Sequence, residues 1–73
     1  MIEKMAIGEK VTMLGYNDPN HIFYGIVAEI TEFRQFQMAS NDNWYWCAKL
    51  NYKFLGEQSS DWYPVRYLSC LDR

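Results

Sequence analysis

The 73 residues suffice for one small domain and not for two. Seven basic and nine acidic residues give a net charge of −2, with no cluster of Lys or Arg along the chain. Nucleic acid is therefore a poor match as partner, since non-specific binding depends on cations that neutralise phosphates. No apolar run is long enough for a signal peptide or a membrane span, which leads us to expect a cytoplasmic protein with no membrane partner. In that compartment Cys47 and Cys70, 23 residues apart, are expected to be reduced and structural.

A domain of this size hides only about 60% of the surface its unfolded chain exposes. Aromatic residues, at 18%, offset this, because each buried ring removes roughly 150–250 Å² from water. They would equally serve a surface that meets a ligand or a second copy of the chain.

The segment Gly8 to Gly15 reads as a short strand with Val11 and Met13 on one face. Tyr16 to His21 gathers the turn formers Asn17, Asp18, Pro19 and Asn20, and reads as a loop. From Ile22 to Phe33 the pattern predicts a strand with Tyr24, Ile26, Ala28 and Ile30 on one side and Val27, Glu29 and Thr31 on the other. Gly25 marks a bend or bulge in it. The strand is expected to last to about Phe36 and to turn through the polar Ser40-Asn41-Asp42-Asn43 cluster.

The most informative stretch runs from Asn43 to Asn51. Trp44, Trp46, Ala48 and Leu50 form an apolar row, and Tyr45, Cys47, Lys49 and Asn51 lie opposite. A strand with its two indoles in the core and Tyr45 outward follows from this alternation. Gly56 to Ser60 reads as a polar turn, Asp61 to Tyr63 as a short strand and Pro64 to Leu68 as one helical turn, since proline suits the first helical position. Ser69 to Leu71 can form a last strand. Five short strands and one helical turn suggest a small barrel, in which closure also removes exposed edges.

Chemistry is sparse. His21 is the only histidine and sits in a loop without a nucleophile nearby, and signatures such as G-x-S-x-G or H-E-x-x-H are absent. Cys47, Cys70 and His21 have no C-x-x-C spacing, so no metal site is expected, and glycine is too sparse for a phosphate loop. We expect no enzyme activity and no cofactor.

Gly8-Glu9-Lys10-Val11, then Tyr45-Trp46-Cys47-Ala48, then Tyr63-Pro64-Val65-Arg66-Tyr67-Leu68 resemble, in order and chemistry, the motifs of Src-homology-3 (SH3) domains. The resemblance implies an all-β, five-stranded SH3-like barrel with a single helical turn before the last strand. It also implies a peptide groove lined by Tyr45, Pro64 and Tyr67. A second resemblance, to the plasmid-borne type II dihydrofolate reductases, rests on Gly8-Glu9-Lys10-Val11, Tyr24-Gly25-Ile26-Val27 and Tyr63-Pro64-Val65 followed by Leu68. Of that family's active-site run only Tyr63 is matched.

The expectation is thus a non-catalytic module that binds a protein or peptide and also self-associates as a homo-oligomer. Tyr45, Trp62, Pro64 and Tyr67 would form the binding platform, with Asp18 and Asp61 at its rim selecting a cationic partner. The alternatives are a small oligomeric reductase and a Tudor- or KOW-like nucleic-acid binder acting through Arg34, Lys49, Lys53 and Arg66.

Overall fold

Two long antiparallel strands, Val27–Gln37 (β2) and Trp44–Phe54 (β3), form the spine of the molecule in a computed structural model that describes residues 5–40 and 43–71. At about 3.3 Å per residue, 11 residues span roughly 36 Å. That matches the longest dimension of a 35 × 24 × 22 Å molecule. The other strands are shorter: Lys10–Thr12 (β1), Glu57–Pro64 (β4) and Ser69–Cys70 (β5). All pairings are antiparallel, in the order β4-β3-β2-β1-β5. A 3-10 turn, Val65–Tyr67, connects β4 to β5.

The all-β class, the five strands and the helical turn before the last strand are as expected. Closure is not: β4 and β5 are the two edges of an open sheet. The 3-10 turn carries the chain across to β1, where β5 is only two residues long and pairs through Val11 and Thr12.

The alternation of β3 assigns the faces. Ala48, Leu50 and Tyr52 are buried on one side, called inner here, and the residues between them point outward. Val11, Ala28 and Ile30 meet this inner row, and Val65 and Leu68 close it from below. Phe23, brought in by the loop before β2, completes the core with near-perpendicular ring contacts to Tyr52, Phe54 and Tyr63 at 6.1, 6.1 and 5.8 Å.

A β-bulge interrupts β2. Ile30 pairs with Leu50, but the next pair is Glu32 with Lys49, leaving Thr31 as the extra residue. The Thr31 hydroxyl donates to the carbonyl of Lys49 at 3.2 Å. Since side chains alternate with period two, one extra residue exchanges the faces of everything beyond it. Phe33 therefore lies inward opposite Ala48, while Arg34 and Phe36 turn outward opposite Cys47 and Tyr45.

Three further expectations are corrected. The segment from Ile22 to Gly25 is turn, with β2 starting at Val27: Tyr24 N–H donates to His21, Ile26 to Phe23, and Gly25, at φ +74°, to Tyr16. The polar residues Glu57 to Ser60 are edge strand, because the turn is the tighter Leu55-Gly56 pair. Trp44 and Trp46 have the inward parity but not the burial, being 60% and 38% exposed. β4 ends at Pro64 opposite Cys47, and β1 reaches only Val27 to Glu29, so the indoles lie on a hairpin end past the layer that would cover them. At that end Met38 N–H donates to the Asn43 carbonyl, and Asn41 and Asp42 of the expected turn lie outside the described residues.

Leu55 and Gly56 have φ of 53° and 82°, the two positive values of a type I′ turn. Glycine adopts this without cost, whereas Leu55 brings a Cβ penalty and is 87% exposed with nothing to offset it. Leu55→Asn is expected to raise stability by about 1 kcal/mol, seen as a higher urea midpoint at unchanged m-value.

Candidate functional site

The outer face of the sheet carries a row of aromatic rings drawn from three strands and the 3-10 turn. Phe36 stands at its centre, 5.4 Å from Trp62 and 6.3 Å from Tyr45 between ring centroids. Trp62 is outward because it pairs with Lys49, and Tyr45 because it pairs with the post-bulge Phe36. From Tyr45 the row continues through Arg66, whose guanidinium lies 5.9 Å from the Tyr45 ring and 4.9 Å from the Tyr67 ring. At the other end Arg34 and Lys49 both lie over Trp62, at 5.1 and 6.0 Å. Such contacts stabilise by about 0.5–1 kcal/mol each at exposed sites and fix the rings without hiding them.

Beneath the row Cys47 is buried. Loss of hydration pushes its thiol pKa up, and the nearby Arg66 charge and a hydrogen bond from Tyr45 pull the other way. Neither Cys47 nor Cys70 is in a disulfide. Pro64, half-buried opposite Cys47, ends the ladder between Trp62 and Arg66, and a missing N–H makes it a natural terminator there.

The Tyr67 end of the row opens into a cleft of about 630 Å³ between the loop after β1 and the 3-10 turn, with Tyr16, Asp18, His21 and Arg66 among its walls. His21 is built into the loop. Its Nδ1 accepts the Phe23 N–H at 3.1 Å, and its ring sits so close to Gly15 that a Cβ there would come within 2.3 Å. Gly15, at φ +98°, is needed both for its backbone and for this approach. Asp18 caps its own turn through the Asn20 N–H at 3.0 Å.

The structure thus brings Tyr45, Trp62, Pro64 and Tyr67 onto one surface, and sets Asp18 at the cleft beyond Tyr67. Asp61 is elsewhere. It pairs with Leu50, has the inner parity, and accepts a 2.6 Å hydrogen bond from the buried Tyr52 hydroxyl, so it is no part of the rim. In its place the surface carries Arg34, Lys49 and Arg66. Phe36 is absent from the expected platform because uninterrupted alternation from Ala28 and Ile30 turns it inward, and Arg34 is expected only as part of a nucleic-acid surface. Lys49, in contrast, shares the odd-numbered parity of Tyr45, a signal visible in the sequence.

Comparison with family models, curated proteins and solved structures returned no match to this chain. No group of three or more His, Cys, Asp or Glu side chains placed to hold a metal occurs among the described residues, nor does any helix there have the length and apolarity to cross a membrane.

Tyr52 gives a readout of the inner face. Burial first, then the Asp61 carboxylate, pushes its pKa up from 10 to about 12. Protonated Tyr52 is thus favoured by the fold, so its stabilisation is complete below pH 10 and is lost as pH rises through 10 to 12. A difference of two units corresponds to at most about 3 kcal/mol. Tyr52→Phe should be less stable than the parent at pH 8, and the gap should shrink as denaturation is repeated up to pH 12.

Proposed function

We propose that this protein is a non-catalytic binding module that takes a protein or peptide segment along the outer face of its sheet. Tyr45, Trp62, Pro64 and Tyr67 form the contact surface together with Phe36. The reading rests on the continuity of the row: Trp62, Phe36, Tyr45, Arg66 and Tyr67 follow one another from the β4 edge to the cleft. Rings held by neighbours lose little side-chain freedom on binding and offer large contact areas, as residues that dominate interfaces do. A row crossing several strands suits an extended chain better than a compact molecule.

The strand order and the 3-10 turn before a short last strand support the SH3-like reading. So does the grouping of Tyr45, Pro64 and Tyr67 around Arg66, where that resemblance expects a peptide groove. The reductase alternative has no such support, since Tyr63, its matched residue, faces inward against Phe23.

The test uses peptides selected from a random 12-residue library on the immobilised protein. Tyr45→Ala with Tyr67→Ala is expected to lower affinity for them at least tenfold while the circular dichroism spectrum stays folded. Unfolding of the double variant would instead make both rings part of the core and remove the site.

A further inference from the structure

The positive charge of this chain is sorted by the fold. Lys10, Arg34, Lys49 and Lys53 come from three strands, yet their registers, opposite Glu29, Cys47, Glu32 and Gln58, give all four the outer parity. Arg66 joins them by lying over Tyr45. Three of the five, Arg34, Lys49 and Arg66, are packed against the aromatic row itself. A guanidinium above a ring keeps its N–H edge directed sideways, where it can meet a carboxylate in bidentate fashion. Among the described residues neither Lys49 nor Arg66 has a carboxylate within ion-pair distance, while Arg34 has Glu32 at 3.7 Å, both side chains being exposed.

Building on the binding reading above, we propose that the segment taken by this face is acidic. An extended peptide would place its carboxylates on Arg34, Lys49 and Arg66 and its apolar side chains on Trp62, Phe36 and Tyr45. The charge preference is the reverse of the one expected from Asp18 and Asp61. A peptide fits better than a single-stranded nucleic acid because Glu29 and Glu32 share the face and Asp18 flanks the cleft. A phosphate at every nucleotide would meet these acids, whereas an extended peptide can put anionic and apolar groups on alternate residues.

The random 12-residue library is selected in parallel on the parent and on a variant carrying Arg34→Glu and Arg66→Glu, and a fluorescent 12-nucleotide oligo-dT is titrated against the parent. The inference predicts that parent-selected peptides are enriched in Asp and Glu alongside apolar residues. It further predicts that their affinity falls at least tenfold for the charge-reversed variant, and that oligo-dT binds at least tenfold more weakly than they do. Enrichment of basic or neutral peptides that still need Tyr45 and Tyr67 would overturn the acidic preference while leaving the aromatic site standing. Failure to enrich any peptide would overturn both readings, and tight, salt-sensitive oligo-dT binding would overturn the acidic-peptide inference in favour of nucleic acid. Conservative Arg34→Lys with Arg66→Lys should retain acidic selection, and loss of selection there together with unfolding would assign these residues a structural role instead.

Discussion

The one-residue bulge at Thr31 is the constraint on which the rest of this structure depends. Before it, β2 contributes Ala28 and Ile30 to the core in ordinary alternation; after it, the alternation is inverted. The exchange lets one strand serve two surfaces. Phe33 keeps the inner face apolar opposite Ala48, and Phe36 with Arg34 is released to the outer face, where Tyr45 and Trp62 already stand. Without the inversion Phe36 would face the same side as the indoles of Trp44 and Trp46, and the outer row would be broken at its centre. The hydrogen bond from the Thr31 hydroxyl to the Lys49 carbonyl ties the extra residue to the neighbouring strand at this point.

The same geometry explains why the surface is charged as it is. A chain with a small negative net charge acquires a local positive surface when residues distant in sequence share a strand parity, and stacking on aromatic rings then holds those cations in place. The acids are distributed differently. Asp61 is occupied by Tyr52 on the inner face, Asp18 by its own turn, and Glu32 lies beside Arg34. Net charge alone therefore says little about what a given face of a small sheet attracts. The overlong hairpin has its own consequence, an exposed indole pair at the end where β1, β4 and β5 no longer reach.

Much of this was legible in the sequence. Alternation in Trp44 to Leu50 defines β3 and its two faces; Pro64 locates the 3-10 turn, and Val11 the inner side of β1, with Met13 buried just past its end. The outward parity of Tyr45 is likewise readable from the same alternation. What stayed hidden depended on non-local pairing. The bulge at Thr31 carries no glycine to announce it, and uninterrupted alternation from Ala28 and Ile30 would turn Phe36 and Arg34 inward. Alternation points the indoles of Trp44 and Trp46 inward but reports only direction, whereas burial also needs a neighbouring layer. Glu57 to Ser60 looked like a turn because their polarity is that of an exposed edge strand, and the true turn contains a leucine. The open sheet, too, follows from how far β5 reaches, which no local pattern encodes.

Nuclear Overhauser contacts of the Phe36 ring test the parity inversion most directly. Cross-peaks from Phe36 to the Trp62 indole and the Tyr45 ring, with none to Trp46, are the result the inverted register requires. Cross-peaks from Phe36 to Trp46 instead, with Arg34 on that same side, would mean that β2 runs without the bulge and that the outer row does not exist.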